Sequence, residues 1–166
     1  MLYDVSIQLT RPMLGDQATQ ERIFRFTRGR VSPGEEGVFV FELASDFWAW
    51  LVREAVDALH LEGVLDVSAI RVPMAMEAPR VTTYRHHYRN KFGTQKVDSF
   101  ECVSENVKLS FELLLTRPID EDSGLRAPTA EELKTILEFI GKYLGISPWG
   151  SKFNFGRFDL LELKCR

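Results

Sequence analysis

The segment from Arg80 to Lys96 concentrates the side chains with the most evident chemistry. It holds Arg80, Arg85, Arg89, Lys91 and Lys96, with His86 and His87, and no acidic residue. Tyr84, Tyr88 and Phe92 recur at four-residue spacing. Drawn as a strand, Tyr84, His86 and Tyr88 share one face, and Arg85, His87 and Arg89 share the other. Phosphates call for cations, and nucleobases offer faces on which Tyr and His stack at ~1–3 kcal/mol per base. A projecting hairpin with one stacking face and one cationic face suits a single strand. The same residues also suit an exposed hairpin kept soluble by its charges, with its tyrosines packed on a sheet.

A second segment, Gly145 to Phe158, places Gly145, Gly150 and Gly156 beside Ser151, Lys152 and Arg157. A loop of this kind presents backbone N–H groups and cations to a phosphate. It is not a Walker motif, because the Gly-Lys-Ser/Thr run is missing. A purely structural loop accounts for it equally well, with Gly145 as a helix cap and Trp149 and the phenylalanines as packing. His60 falls near a helix end, where the dipole favours a cation. His86 and His87 are adjacent, so on a strand they point to opposite faces and cannot share one site. Either alone is a candidate general acid or base for RNA cleavage. No metal or cofactor site, paired carboxylates or nucleophile elbow stands out. Trp48 and Trp50 are expected in core and surface packing respectively.

Composition sets the limits. The chain has 166 residues, 45% apolar and 27% charged, which is the make-up of one ordinary globular domain spanning 1–166. A net charge of −3 excludes a globally basic binder but not local basic patches. Cys102 and Cys165 stand far apart with no ligand-spaced neighbours, as buried or idle thiols do. The start of the chain alternates as a strand instead of carrying a secretory apolar run. No apolar run approaches the ~18 residues of a membrane span. The expected location is the cytoplasm, of a cell or of an infected host, with no membrane association.

These residues need elements to hold them. Tyr3, Val5, Ile7 and Leu9 alternate with Asp4, Ser6 and Gln8 as a half-buried strand. Val38–Phe41 reads as a short strand, and Ser45-Asp46 as the N-cap of a helix running to about His60. That helix carries the stripe Phe47, Leu51, Ala55, Ala58 and Leu59, widened by Trp48 and Val52. Val67–Val72 reads as a strand. Arg80–Leu115 reads as all β, with a hairpin tip at Asn90–Thr94 and a strand alternating through Val107, Leu109, Phe111, Leu113 and Leu115. Thr129 and Glu132 form a capping box ahead of a helix with the stripe Leu133, Ile136, Leu137, Ile140 and Leu144, stopped by Gly145. Phe158–Leu163 closes as a strand. The expected fold is α+β: a ferredoxin-like βαββαβ core, an antiparallel sheet with two helices on one face, carrying an extra β-hairpin.

The stretch IGKYLGISPWGSKFNFGRFDLLEL resembles the closing helix, glycine-rich loop and strand of the RAMP superfamily of CRISPR-associated RNA-binding proteins. Phe155-Gly156-Arg157-Phe158 matches the end of that loop, and SDFWAWLVREAVDAL is similar to the superfamily's first helix, with Arg53 at its arginine position. Together with VSIQLTRPMLG and TTYRHHYRNK, these segments also resemble a family of uncharacterised bacteriophage proteins. The resemblance implies nucleic acid near the glycine-rich loop, with Lys152, Gly156 and Arg157 as contacts. The loop is poorer in glycine than the superfamily's, and its catalytic histidine has no counterpart here. The expectation is therefore a non-catalytic protein binding single-stranded RNA or DNA through Arg80, Tyr84, Arg85, His86, Tyr88, Arg89, Lys91, Lys152, Gly156 and Arg157. The rival classes are a metal-independent endoribonuclease using His86 or His87, and an assembly module. The latter would use Trp149, Phe153 and Phe155 to form a homo-oligomer or protein complex.

Overall fold

The computed structural model describes residues 1–14, 24–28, 39–73, 76–78, 82–147 and 150–166. In chain order the elements are β1 (Leu2–Leu9), β2 (Met13–Leu14), β3 (Phe24–Arg28), β4 (Phe39–Leu43), α1 (Ser45–Ala58), β5 (Met76–Ala78), β6 (Thr82–Arg89), β7 (Gln95–Val103), β8 (Lys108–Leu114), α2 (Ala130–Phe139), α3 (Gly150–Phe153) and β9 (Phe158–Cys165). Among the described residues the strands form three antiparallel sheets, ordered β8-β1-β9, β2-β7-β6 and β3-β4-β5. This is an α+β architecture. Among the described residues no helix is long and apolar enough to cross a membrane.

The first sheet and the two long helices make the body. Alternation puts Tyr3, Val5, Ile7 and Leu9 of β1 and Leu109, Phe111 and Leu113 of β8 on one buried face. Helical spacing brings Trp48, Leu51, Val52, Ala55 and Val56 of α1, and Leu133, Ile136 and Leu137 of α2, into the same core. The buried stripe of α1 is Trp48, Leu51, Val52, Ala55 and Val56; of the expected stripe Leu51 and Ala55 are buried, Phe47 and Leu59 are half-buried, and Ala58 is exposed. Trp48 also donates its indole N–H to Ile70 O at 3.1 Å, so this buried polar atom is satisfied. The other face of the sheet is mostly polar, with Leu2 opposite Leu114 at one end. Ser6 and Ser110 share a hydrogen bond of 3.1 Å across it, and Arg166 pairs with Asp4 at 2.6 Å and Glu112 at 2.5 Å.

Two local expectations are corrected. The N-cap of α1 is Ala44, with no side-chain cap, because the helix already includes Ser45 and Asp46. Residues 67–72 do not form a strand. Asp66 accepts from Ser68 N at 2.9 Å and starts a 3-10 turn at Val67–Ala69, leaving an isolated antiparallel bridge from Ile70 to Leu115. An aspartate that bonds two residues ahead competes with the extended chain, and here it wins. The capping box of α2 is present. Glu132 N donates to Thr129 Oγ1 at 3.3 Å, and Thr129 N donates to Glu132 Oε2 at 2.8 Å.

Candidate nucleic-acid interface

Strands β6 and β7 form the hairpin, with Thr82 opposite Cys102 and Arg89 opposite Gln95. Asn90 organises the tip: its Oδ1 accepts from Phe92 N and Thr94 N, each at 3.0 Å, while its O accepts from Gly93 N at 3.0 Å. An Asx turn of this kind closes a hairpin without help from the core.

The base of the hairpin is held and its end is bare. Strand β2 adds Leu14 beside Cys102, and Leu14, Phe100 and Cys102 form a small buried cluster of their own. Burial pushes the Cys102 thiol pKa up, so it behaves as packing and not as a nucleophile. Tyr84 packs against this cluster and meets Phe155 edge-on, ring centroids 5.2 Å apart. Further out on the same face His86 stacks with Tyr88 at 5.8 Å and 18°. On the opposite face Arg85, His87 and Arg89 are exposed, across from Ser99, Val97 and Gln95. A shallow depression of about 400 Å³ near the tip is lined by His87, Tyr88, Arg89, Gln95, Lys96 and Val97. Lys91 sits over the Phe92 ring at 5.1 Å, and that ring is 79% exposed.

The glycine-rich loop is built differently. The π turn at Ile140–Leu144 ends α2 with Gly145 N donating to Ile140 O at 2.7 Å. Ile146 N donates to Gly156 O at 3.0 Å, Gly150 N to Ser147 O at 3.1 Å, and Gly156 N to Pro12 O at 2.7 Å. Backbone contact with a phosphate has no donor left at these four positions. Gly156 is buried at φ +68°, and a Cβ there would sit 2.5 Å from that of Ser147. Its glycine answers to close packing and left-handed backbone. Arg157 donates from Nε to Gly150 O at 2.9 Å and from Nη1 to Lys142 O. Partial burial lowers its pKa below the ordinary arginine value. It acts as a cationic cap on the carbonyl end of the second helix.

No protein-family model matches this chain, and no curated protein matches it in sequence.

The expected contacts therefore separate. Arg85, Arg89, Lys91 and Tyr88 are exposed on one hairpin, with His86 half-buried among them. Tyr84 is half-buried at the hairpin base, and Lys152 is exposed on α3. Gly156 and Arg157 are committed to the loop's own frame. Arg80, Trp149 and the Val38 end of the first predicted short strand lie outside the described residues. Arg53 is exposed on α1. His60 follows that helix in left-handed conformation, φ +57°, and His87 and His86 lie on opposite faces of β6. Among the described residues no group of three His, Cys, Asp or Glu is placed to hold a metal ion.

Sequence reading passed over Ser147. It is 1% exposed, and its Oγ accepts from Leu14 N at 2.8 Å, tying the glycine-rich loop to the strand that braces the hairpin. A serine within a loop carries no local signal of such a long-range role.

Proposed function

We propose that this protein is a non-catalytic binder of single-stranded RNA or DNA, and that the hairpin Thr82–Val103 is its contact arm. One observation carries the reading. Arg85, His87 and Arg89 lie exposed on one face of a braced ribbon, the His86–Tyr88 ring stack lies on the other, and Lys91 and Lys96 flank the end. The cations answer a phosphate backbone, and the rings answer unpaired bases. Tyr84 then serves as the anchor from which the stacking face starts. Gly156 and Arg157 hold the loop that supports it, and Lys152 is the loop's exposed cation.

Two features favour a strand over a second copy of the chain along β6. Self-pairing of β6 would set Arg85 and Arg89 near their own copies, and like charges across a sheet oppose pairing. The open face of the body sheet is a poor stacking platform, since the β1 and β8 positions on it carry Asp, Ser, Gln, Lys, Glu and Leu and no aromatic ring. We also read the body as a ferredoxin-like core. The order β8-β1-β9 corresponds to three of its four strands, and the Ile70–Leu115 bridge stands where the fourth would pair. That reading agrees with the RAMP resemblance, and we propose a cytoplasmic setting with it.

Fluorescence anisotropy tests the proposal directly, with labelled single-stranded RNA, single-stranded DNA and duplex titrated across salt. The expected result is micromolar or tighter binding to a single strand that weakens steeply with salt. Replacing Arg85 and Arg89 by Ala should flatten the log–log salt slope by about 1.4, at ~0.7 per phosphate contact. Absence of binding to any of the three at low salt would sink the reading.

A further inference from the structure

The chain's 24 acidic residues are unevenly spread. The two longest stretches without one are residues 78–97 and 139–158, twenty residues each. The first contains most of the hairpin. The second contains the π turn, the glycine-rich loop and α3. The fold brings them together, because Tyr84 of the first meets Phe155 of the second, ring to ring, at 5.2 Å. In a protein of net charge −3 this junction joins the two longest acid-free runs of the chain, with Asp98 and Glu101 of the return strand, opposite His86 and Thr83, as the acids of the hairpin.

The second stretch also carries its own rings and cations. Three of the chain's seven lysines are followed at once by an aromatic residue: Lys91-Phe92, Lys142-Tyr143 and Lys152-Phe153. Each ammonium lies over its neighbour's ring, at 5.1, 5.2 and 5.4 Å. Tyr143 and Phe153 are 50% and 51% exposed, more than core packing requires. Arg157 holds these two units side by side, since its guanidinium binds the carbonyl of Lys142 and the carbonyl of Gly150 at the start of α3. Phe153 lies two residues before Phe155, which touches the hairpin. The cation–ring pairs thus belong to the segment that touches the base of the hairpin. The nearest acid along the helix is Glu138, one turn before Lys142.

We infer that a single-stranded nucleic acid bound along the hairpin runs on across this second platform, with phosphates on Lys142 and Lys152 and bases against Tyr143 and Phe153. The inference rests on the hairpin reading above and extends it to a longer strand. Each exposed ring beside an ammonium supplies what one nucleotide needs, a face for the base and a countercharge for the phosphate.

The test is anisotropy with single-stranded homopolymers of increasing length, alongside thermal melts of each variant. The double variant Lys142→Ala/Lys152→Ala should make the salt slope with a long oligonucleotide shallower by about 1.4. The charge-preserving Lys142→Arg/Lys152→Arg should keep it. Tyr143→Ala and Phe153→Ala should each weaken the long oligonucleotide by about 5- to 150-fold, and Phe153→Ala should leave melting unchanged, whereas Tyr143→Ala also removes a ring contact with Phe139. A short oligonucleotide covered by the hairpin alone should respond to none of these changes. If the long oligonucleotide is bound equally well by all these variants while Arg85/Arg89→Ala abolishes binding, the strand ends at the hairpin and this inference fails alone. No binding by the unmodified protein would overturn both readings. A dimer that dissociates on Phe153→Ala, with nucleic-acid affinity unchanged, would instead assign the platform to a second copy of the chain.

Discussion

The body and the arm of this molecule solve opposite problems with the same kind of strand. In β1 and β8 every second residue is buried, and the residues between them are mostly polar, with Ser6 matched to Ser110 and Arg166 to Asp4 and Glu112. In β6 the alternation persists, but burial fades from the Tyr84 base to an end that is exposed on both faces. The body pairs Arg166 with Asp4 and Glu112, whereas Arg85 and Arg89 lie exposed in a stretch that contains no acid. Alternation alone therefore states only that a strand has two faces. What lies against each face decides whether the strand serves stability or contact.

The comparison can be broken most sharply in the body. Leu51→Ala removes a fully buried side chain from the shared core and should cost about 2–5 kcal/mol in urea unfolding. Arg85→Ala with Arg89→Ala, on exposed positions, should stay within about 0.5 kcal/mol of the parent. Equal destabilisation by the two would mean that the arm is part of the core.

A smaller effect is expected where body and arm meet. Arg157→Ala should cost about 1.5–3 kcal/mol, since it strips a charged donor from Gly150 O and Lys142 O. Arg157→Lys should not restore it, because an ammonium cannot reproduce the fork that reaches both carbonyls. Full recovery of thermal stability with Lys would show that charge alone matters there.

The mildest change lies within the body. The Arg126 hydrogen bonds, with the Thr129 N–H, hold the Glu132 carboxyl pKa down at about 2, against 4.5 for the free side chain. A lowered folded-state pKa adds stability above about pH 4.5 that disappears as pH falls through about 2. Glu132→Gln should accordingly cost about 0.5–2 kcal/mol at pH 7. Its difference from the parent should shrink in urea melts near pH 2, and a gap of constant size would dissociate the carboxylate from the effect.

Much of the body was legible in advance because its signals are local. The period of two in Tyr3–Leu9 and Leu109–Leu115, and the Thr129–Glu132 box, each lie within a few residues. The hairpin tip was legible for the same reason, since Asn90 and Gly93 set it by themselves. Where reading failed, a short-range competitor was at work. Val67-Ser68-Ala69-Ile70 is apolar enough for a strand, yet Asp66 takes the Ser68 N–H and turns the chain. In α1 the first-turn residues Ser45 and Asp46 looked like caps, but Ala44 holds the cap position. The glycine-rich loop was legible in composition and opaque in purpose. Gly156 and Arg157 have the residue types of an anion site, and only their partners, Pro12, Gly150 and Lys142, reveal the structural use.

By itself, then, the sequence determined the α+β class, the stripe of the second helix and part of that of the first, the buried face of β1 and the existence of a cationic, aromatic hairpin. Each follows from side-chain periodicity and turn chemistry, whose range is a few residues. The tertiary structure alone decided that Ser147 binds Leu14 across 133 positions, and that the two acid-free stretches meet at Tyr84 and Phe155. Contacts of that range form only when a common core has already brought distant segments together, and no local pattern in either segment encodes the other.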